Sequence, residues 1–558
     1  MIRVARISLA AFGLLGMLGM VGMVGVLGCQ QQQSGDYPNR VLDRPTDLVL
    51  TCARMYCVDE DEDGIVDDGE CRPQAGPLDQ CTQNTLSTCT SKPSYGELKI
   101  ATGDYQLFGF IANSERNEVA MFAECANRLI DMNVATPGYN FVPSGVLPTN
   151  LDASGDGCQV IAANVGSCDL SLLDAEGLAG FGFGLDLAND EASELVVNLV
   201  PTRYDLASQK WLPIGARPAD LIAAPSELST APQSEGGNLS GDQCDPSERG
   251  SVYVSFPTCN LVAEIDIRTG HVLQSRQFVS DDQGEVDLID TGVSPICPVE
   301  CPRQFQDGLP EGLPEIEQDG PFPQALELLR PVGSPIDQAD EALDNRALFI
   351  GGLGSDSVFE LRIAENGTWT EDVQSLALQG ASGVTRIRVS PPVDFQDSAF
   401  GEIDYPAVSD RQFLYVVVGD GSTRVVSREL EINEGDPLGI ECDTQRDPIA
   451  VEGAAEWACF PVSDADNIER RALVGGPGIR ALSGADVTDW TFVKIYDFPD
   501  SSTGFDRSSY SLFNQPGTFA VGTTTRGEVI YVMIDQTRAN GLTTVDELTS
   551  GEVRDPLG

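Results

Sequence analysis

The chain has 558 residues, of which 34 are basic and 86 acidic, so its formal net charge is −52 at pH 7. A field of this sign repels nucleic acid and bare anionic lipid, which excludes protein classes that bind them through basic patches. The hydrophobic content of 41% suffices for a large packed core, so the chain is not an acidic disordered tail. The acidic residues are interpreted as a solvated shell, with cation-bridged contact to an anionic cell surface as the alternative.

The N-terminus carries an uncharged run, Ile7–Gly28, with Arg3 and Arg6 before it and Cys29 directly after it. The run is long enough to span a bilayer, so a plain transmembrane helix is one interpretation. Against that interpretation, glycine recurs at every third position from Gly13 onward and weakens a helix. No basic residues follow the run either, although they usually flank a membrane span.

The sequence Val26-Leu27-Gly28-Cys29 resembles the lipobox of a bacterial lipoprotein signal peptide. The resemblance implies that residues 1–28 are removed and that Cys29 becomes the acylated first residue, anchored in a membrane. Each buried methylene contributes about 0.8 kcal/mol, so several acyl chains make a stable anchor. By the same resemblance, Gln30 after the cysteine suggests an outer-membrane lipoprotein of the cell envelope, facing the periplasm or the cell surface. Residues 29–46 are then the lipidated cysteine and a flexible tether.

The cysteine content agrees with such a location. Of 15 cysteines, 14 remain when Cys29 is set aside, an even number that allows seven disulfides. The chain has no Cys-x-x-Cys pair and only one histidine, His271, which argues against zinc.

The sharpest local motif is the acidic segment 59–70, in a Cys-rich segment that spans residues 47–94. It matches the twelve-residue calcium loop, with Gly64 at the sharp turn and hard oxygen ligands at the alternating positions. The sequence therefore predicts a Ca²⁺ site whose ligands are Asp59, Asp61, Asp63, Ile65, Asp67 and Glu70.

The flanks of this motif exclude an EF-hand, because the sequence Arg72-Pro73 cannot continue as an exiting helix. The loop instead resembles the isolated calcium repeats of thrombospondin type 3 and dockerin-like segments. Cys57 and Cys71 bracket it and are candidates to cross-link its base, with a gain of about 3 kcal/mol. The alternative is an acidic surface turn without metal. A site this close to the tether is expected to have a structural role.

Residues 95–545 contain short β segments joined by turn signals, without a long amphipathic helix pattern. The clearest unit has a strand from Arg217 to Pro225, a hairpin of Ser251–Phe256 and Leu261–Ile267, and a fourth strand from His271. Four strands joined by turns make one propeller blade. Similar hairpins are predicted around residues 107–123, 160–174, 347–362, 413–430 and 518–533, and residues 472–496 leave room for one more.

These units resemble the YVTN-type β-propeller repeats of bacterial surface and periplasmic proteins. The resemblance implies an all-β propeller of seven blades, within a range of six to eight, followed by a tail at 546–558. A pair of β-sandwiches is the competing fold, but repetition of one hairpin type favours the ring.

Several cysteines lie in the turns and insertions of this region. Cys168 and Cys259 lie in the hairpin turns of two blades, and a Cys158–Cys168 bridge is disfavoured by distance along the strand. Partners on the long insertions, Ser226–Gly250 and Ile296–Pro321, are therefore expected, with the connectivity left open. The nearby pairs Cys297 with Cys301 and Cys442 with Cys459 are candidates to close their own loops.

Catalytic patterns are scarce. A Ser-His-Asp arrangement would depend on His271, which is expected at an exposed β position, and no nucleophile elbow or phosphate loop occurs. The first function hypothesis is thus a non-enzymatic, lipid-anchored propeller that binds an envelope protein or a surface polymer, and not nucleic acid. The alternative is a calcium-dependent propeller hydrolase of the lactonase kind, which requires three or more carboxylates and amides at the ring axis.

Overall fold

The computed structural model describes residues 42–58, 71–81, 100–183, 195–230, 244–301, 321–329, 346–395, 408–429, 458–459, 471–479, 484–495 and 517–533, with short gaps in several ranges. The described residues form six antiparallel sheets of three or more strands and one two-stranded sheet. The six larger sheets are the blades of a β-propeller, numbered here in chain order.

Blade 1 contains seven strands: β1 (Pro45–Val58), β2 (Cys71–Gly76), β3 (Ile100–Thr102), β4 (Gln106–Asn113), β5 (Glu118–Ala123), β6 (Arg128–Leu129) and β7 (Val142–Pro143). Its main strand order is β2-β1-β4-β5-β6. Strand β2 and all of β1 except its first two residues come from the segment 47–94, so part of the Cys-rich segment lies in the first blade.

Blade 2 contains β8 (Pro148–Ala153), β9 (Gln159–Asn164), β10 (Asp169–Asp174) and β11 (Val196–Leu199), and helix α1 (Ala175–Phe183) joins its last two strands. A hairpin of β12 (Thr202–Asp205) and β13 (Lys210–Pro213) follows. Blade 3 contains β14 (Leu221–Ala223), β15 (Ser251–Phe256), β16 (Leu261–Asp266), β17 (Val272–Ser280) and β18 (Val286–Asp290).

Blade 4 contains β19 (Pro323–Leu329), β20 (Ala347–Gly352), β21 (Ser357–Ile363) and β22 (Trp369–Ala377). Blade 5 contains β23 (Val384–Val389), β24 (Val393–Phe395), β25 (Val408–Val418), β26 (Thr423–Glu429), β27 (Ala458–Cys459) and β28 (Arg471–Ile479). Blade 6 contains β29 (Val487–Ile495), β30 (Gly517–Thr524) and β31 (Val529–Met533).

The prediction of an all-β propeller is confirmed, but the described residues form six blades, so the expected seventh is wrong. The segment proposed for that blade is divided between two sheets. Strand β28 pairs with β26 at the outside of blade 5, whereas β29 pairs with β30 as the first strand of blade 6. The six predicted hairpins become the second and third strands of the six blades.

Apolar clusters fill the interfaces between successive blades. Because a blade packs against a neighbour on each side, β9, β15, β16 and β20 are buried at every position. Each fully buried aliphatic or aromatic side chain contributes roughly 1.5–3 kcal/mol. Representative members lie between blades 1 and 2 (Phe108, Leu173), 2 and 3 (Leu170, Val254), 3 and 4 (Tyr253, Phe359), 4 and 5 (Phe349, Leu414), and 5 and 6 (Tyr415, Trp490).

Disulfide bonding is confirmed, with five bridges among the described cysteines: Cys52–Cys81, Cys57–Cys71, Cys158–Cys244, Cys168–Cys301 and Cys259–Cys297. As expected, the partners of Cys158, Cys168 and Cys259 lie in the long insertions. The side chains of Cys442 and Cys459 lie outside the described part of the chain.

The expectation that Cys297 and Cys301 close their own loop is wrong. Their segment lies across the turns of blades 2 and 3, so each cysteine bonds to a different blade. Glu300 holds it there, because its carboxylate accepts hydrogen bonds from the Arg217 N–H and the Thr258 hydroxyl, both at 2.8 Å. The segment therefore staples two blades together.

The two turn cysteines, Cys168 and Cys259, do not occupy equivalent positions in their blades. Cys168 directly precedes the third strand of its blade, where blade 1 has Asn117 and blade 3 has Asn260. All three residues have positive φ, at 56°, 57° and 48° in the order named. Both asparagines link their blade to the segment that leads into the next one, because their Oδ1 atoms accept hydrogen bonds from the Leu147 and Phe322 N–H groups. In blade 2 the disulfide of Cys168 replaces that hydrogen bond.

Candidate functional site

The first strand of each blade lies next to the ring axis, and these six strands bring polar side chains together. Each first strand contacts the first strand of the following blade, in the order β1, β8, β14, β19, β23 and β29. The axis is therefore where the metal-dependent hydrolase predicted as the alternative function would have its site.

On one side of the ring, a carboxylate of each first strand accepts a backbone N–H from the next blade. The donor and acceptor are separated by 2.8 Å in all three cases. The pairs are Leu151 to Asp47, Ala223 to Asp152, and Leu326 to Asp220. The bonds link blades 1 through 4 in sequence.

Arginine performs the linking on the other side of the ring. Arg388 on β23 donates to Glu327 of blade 4 at 3.3 Å and to Asp489 of blade 6 at 2.8 Å. Blade 5 is thus bound to both of its neighbours through one guanidinium group.

Arg386, two residues earlier on the same strand, reaches across the axis. Its guanidinium donates to Asn150 Oδ1 of blade 2 at 3.3 Å and lies 3.7 Å from Asp220 Oδ2 of blade 3. The Asp220 carboxylate also accepts hydrogen bonds from Asn150 Nδ2 and from its neighbour's N–H, that of Leu221. Asp220 therefore contacts blades 2, 4 and 5 from its position in blade 3.

The electrostatics of the axis follow from this crowding. Burial raises the pKa of Asp47 from 3.8 to about 6, although the Leu151 N–H, Arg386 and Arg388 oppose the rise. For Arg388, burial disfavours the charge, but the carboxylates of Asp489, Glu327, Asp220 and Asp47 outweigh burial and raise its pKa well above the ordinary value. The guanidinium stays charged and neutralises part of the acidic ring.

The hydrolase hypothesis requires three or more carboxylates and amides at the ring axis. The structure meets this number, since at least three carboxylates and one amide converge there. Their partners decide what they can do. Asp47, Asp220, Glu327 and Asp489 each bind a backbone N–H or an arginine. Within the described residues, no group of three or more His, Cys, Asp or Glu side chains is placed to hold a metal ion. The arrangement is that of a structural clasp between blades.

None of these axis residues is among the predicted site residues, although the sequence carries a signal for two of them. Arg44-Pro45-Thr46-Asp47-Leu48 and Arg217-Pro218-Ala219-Asp220-Leu221 share the pattern Arg-Pro-x-Asp-Leu. Both end in a carboxylate that binds the next blade. The repeat therefore marks the first strand of a blade, and it would have identified both aspartates among 86 acidic residues.

The predicted site residues fall mainly outside the described residues. This holds for Cys29 and for Asp59, Asp61, Asp63, Ile65, Asp67 and Glu70 of the calcium loop. The base of that loop is described: Cys57 and Cys71 lie opposite each other on β1 and β2 and form a disulfide. No helix in the described part is both long and apolar enough to cross a membrane.

His271, expected at an exposed position, is instead half-buried directly before β17 of blade 3, where it packs against the β12–β13 hairpin. The ring of Trp211 stacks on it at 3.8 Å between centroids, and Nδ1 lies 2.8 Å from the Thr202 hydroxyl. Burial lowers the pKa of His271, and the Asp266 carboxylate opposes the shift. The imidazole is held by packing rather than presented beside a nucleophile.

Comparisons with known proteins leave the family open: no family model matches the sequence, and no curated protein matches it either. Among solved structures, dihydro-heme d1 dehydrogenase NirN is 12% identical with a TM-score of 0.28, covering 76% of this chain and 61% of its own. A proposed 6-phosphogluconolactonase from Bacteroides uniformis is 12% identical with a TM-score of 0.29, covering 88% and 81%. The Dos1 propeller is 10% identical with a TM-score of 0.25, covering 69% and 57%. At these values the likenesses carry no argument about activity.

The raised pKa of Asp47 predicts a specific pH dependence. Because the folded pKa of about 6 exceeds the ordinary 3.8, the folded state holds the proton more tightly than the unfolded state. The free energy of unfolding should therefore fall between about pH 4 and pH 6, by at most about 3 kcal/mol, and then level off. In Asp47→Asn, urea unfolding across this range should lack that component. An unchanging difference between the two proteins from pH 4 to pH 7.5 would contradict the assignment.

Proposed function

We propose that the protein is a lipid-anchored β-propeller of the cell envelope that acts as a binding or scaffold protein. The observation that carries this proposal is the use of the axis carboxylates. Asp47, Asp152 and Asp220 bind backbone N–H groups of neighbouring blades, and Glu327 and Asp489 bind Arg388. Groups that a propeller hydrolase would direct at a metal and substrate here hold the ring together.

The anchor is the acylated Cys29 that the lipobox resemblance implies, and the location is the outer membrane, facing the periplasm or the cell surface. The five disulfides support an oxidising compartment, because such bonds are rare in reducing cytosol. Three of them join a blade to an insertion and Cys57–Cys71 joins two strands of blade 1, as expected of stabilising cross-links.

The partner class is another envelope protein or a surface polymer. A net charge of −52 favours cationic partners or contacts bridged by divalent ions, and it disfavours nucleic acid. The electrostatic attraction acts on a partner at long range only in low salt, because the screening length is about 8 Å at physiological ionic strength.

The calcium loop is proposed to stiffen the first blade. Its ligands would be Asp59, Asp61, Asp63, Ile65, Asp67 and Glu70. Cys57 and Cys71 join the two strands that lead into and out of this segment, so a bound ion would fix the end of a closed hairpin. Since β1 also carries Asp47, the hairpin continues the strand that is bound to blade 2 at the axis.

The alternative function is a calcium-dependent hydrolase of the lactonase kind. It is favoured by one observation, the convergence of Asp47, Asn150, Asp220, Glu327 and Asp489 at the axis. Lactone hydrolysis with calcium and with a chelator discriminates the two functions. Calcium-dependent turnover that Asp220→Asn abolishes would establish the hydrolase, whereas its absence in folded protein supports the binding role.

The anchor predicts that cells expressing the protein incorporate labelled palmitate into it, and that Cys29→Ala loses the label. Lipidation requires the Cys29 sulfur, so Gln30→Ala should label like wild type. The measurement is radiolabel or click fluorescence on the immunoprecipitated chain. Equal labelling of wild type and Cys29→Ala would remove the anchor from the proposal.

The calcium loop predicts a metal-dependent stability. A ligand that binds only the folded state at one hundred times its dissociation constant adds about 2.7 kcal/mol to the free energy of unfolding. Calcium should raise the thermal unfolding midpoint, and a chelator should reverse the rise. Asp61→Asn should abolish the response, whereas Asp205→Asn, which removes an acid of the β12–β13 hairpin, should retain it. A response in Asp61→Asn as large as in wild type would contradict the site.

A further inference from the structure

One face of the ring is formed by turns that join the second and third strands of blades 1 to 4. The first strand of each of these blades begins at the same end. This surface, named here the turn face, consists of the turns 114–117, 165–168, 257–260 and 353–356, the crossing segment 296–301, and the lead-in residues 44, 144–147, 215–219 and 321–322.

The turn face presents large apolar side chains to solvent. Four of them are between 39% and 48% exposed: Val146, Leu147, Ile296 and Leu353. Single exposed apolar residues are ordinary on a protein surface, whereas a contiguous group of them marks an interaction site. Whether these four are contiguous therefore decides their meaning.

Val146 and Leu147 lie between the turns of blades 1 and 2. The Leu147 N–H donates to Asn117 Oδ1 in the turn of blade 1 at 2.8 Å. The Val146 carbonyl accepts the Gly166 N–H in the turn of blade 2, also at 2.8 Å. That second turn is bonded through a disulfide to the segment 296–301.

Ile296 and Leu353 continue the same surface over blades 3 and 4. Ile296 directly precedes the cysteine that is bonded to the turn of blade 3. In that turn, Asn260 Oδ1 accepts the Phe322 N–H at 2.9 Å. The Phe322 carbonyl in turn accepts the Leu353 N–H of the blade 4 turn at 3.3 Å. An unbroken series of bonds thus joins the four exposed positions.

The backbone of Leu147 adds a second indication. Its φ is 55°, in the left-handed region that leucine rarely adopts. Strained positions of this kind persist where neighbouring groups hold them, and they cluster at functional sites. Hydrogen bonds to the turns of blades 1 and 2 hold Leu147 here, yet its side chain stays largely exposed.

The turn face is electrically balanced within a strongly acidic chain. Its charged residues are Arg44, Arg116 and Arg217 and the acids Glu115, Glu300 and Asp356. Their charges sum to zero, whereas the whole chain carries −52. This surface therefore escapes most of the repulsion that the rest of the molecule exerts on other surfaces.

The chain enters the ring on this face, directly beside Leu147. The Arg44 carbonyl accepts an N–H from the turn of blade 1 at 3.4 Å, and the Thr46 hydroxyl donates to the Pro148 carbonyl at 3.3 Å. Cys29, the proposed anchor, precedes Arg44 by fifteen residues. A flexible tether of this length spans about 20 Å on average. A membrane that holds Cys29 would lie close to the turn face.

We propose that the turn face docks on the membrane in which the anchor is inserted. The side chains that enter the lipid are Val146, Leu147, Ile296 and Leu353. Apolar side chains with balanced charge suit a net-neutral lipid surface, and the tether keeps that surface at a high effective concentration. The inference rests on the proposed function, because it takes Cys29 as the anchor, and it adds the orientation of the ring on the membrane.

The test places a fluorescent reporter on the turn face. The mature chain with Cys29→Ala and an N-terminal hexahistidine is held on phosphatidylcholine vesicles by a nickel-chelating lipid, in place of the acyl anchor. Leu147→Trp adds a fifth tryptophan to the four of the chain. With brominated acyl chains, which quench tryptophan on contact, this variant should lose roughly a fifth more of its emission than wild type.

Val197→Trp is the matched control. Val197 is 49% exposed, but it lies on β11, the outer strand of blade 2, and not on the turn face. Its added tryptophan should not be quenched, so this variant should behave like wild type. Circular dichroism verifies that both variants are folded.

A charge variant tests the other exposed residues. Ile296→Asp combined with Leu353→Asp places two carboxylates on the turn face, so in the Leu147→Trp background it should abolish the additional quenching. Val197→Asp in the same background should leave the quenching unchanged.

Equal quenching of Leu147→Trp and Val197→Trp, or full quenching in the charge variant, would overturn the inference. So would shielding of the Leu147→Trp reporter from aqueous iodide before vesicles are added, because a second copy of the chain would then cover the face. The nickel-chelating lipid holds the chain whether or not cells acylate Cys29. Failure of docking is therefore distinguishable from loss of the palmitate label, which concerns the proposed function.

Discussion

The carboxylate of Asp220 is the hub of the ring. From blade 3 it accepts the Leu326 N–H of blade 4 and the amide of Asn150 in blade 2, and it lies 3.7 Å from Arg386 of blade 5. Only 4% of the residue is exposed, so these groups replace the water that an ionised carboxylate would otherwise require. Because the buried Asp220 carboxylate needs these partners, it fixes the positions of the neighbouring blades that supply them. The bonds of Asp47 and Asp152 repeat the same constraint around one side of the axis.

Apolar packing between the blades and disulfides farther from the axis add to the stability of the ring. The hydrophobic clusters supply most of the free energy, since burial of apolar surface is the dominant favourable contribution to folding. They do not by themselves fix the register between blades. The axis carboxylates do so on the inside, whereas farther out the segment 297–301 crosses the turns of blades 2 and 3 and bonds to both.

The sequence predicted the architecture better than it predicted the site. Short apolar β segments joined by turn signals identified all six hairpins, because the two middle strands of a blade are covered on both sides and read as continuous apolar runs. The expected seventh blade was wrong because such segments reveal strands but not their partners: β28 and β29 are adjacent in sequence yet pair with different sheets. For the same reason, Cys297 and Cys301 looked like partners. At the axis, the aspartates were hidden by the abundance of acids, and only the repeated Arg-Pro-x-Asp-Leu pattern distinguished Asp47 and Asp220.

The most direct measurement of this account compares urea unfolding of Asp220→Asn with that of Asp266→Asn. Both aspartates are 4% exposed, but Asp266 accepts a hydrogen bond from the Arg268 backbone N–H and forms an ion pair with its guanidinium, whereas Asp220 contacts three other blades. Loss of a buried, paired charge typically costs about 3–5 kcal/mol. Because Asp220 links several blades, we expect Asp220→Asn to lose at least about 2 kcal/mol more free energy of unfolding than Asp266→Asn. Equal losses in the two variants would show that the axis carboxylates do not hold the blades together.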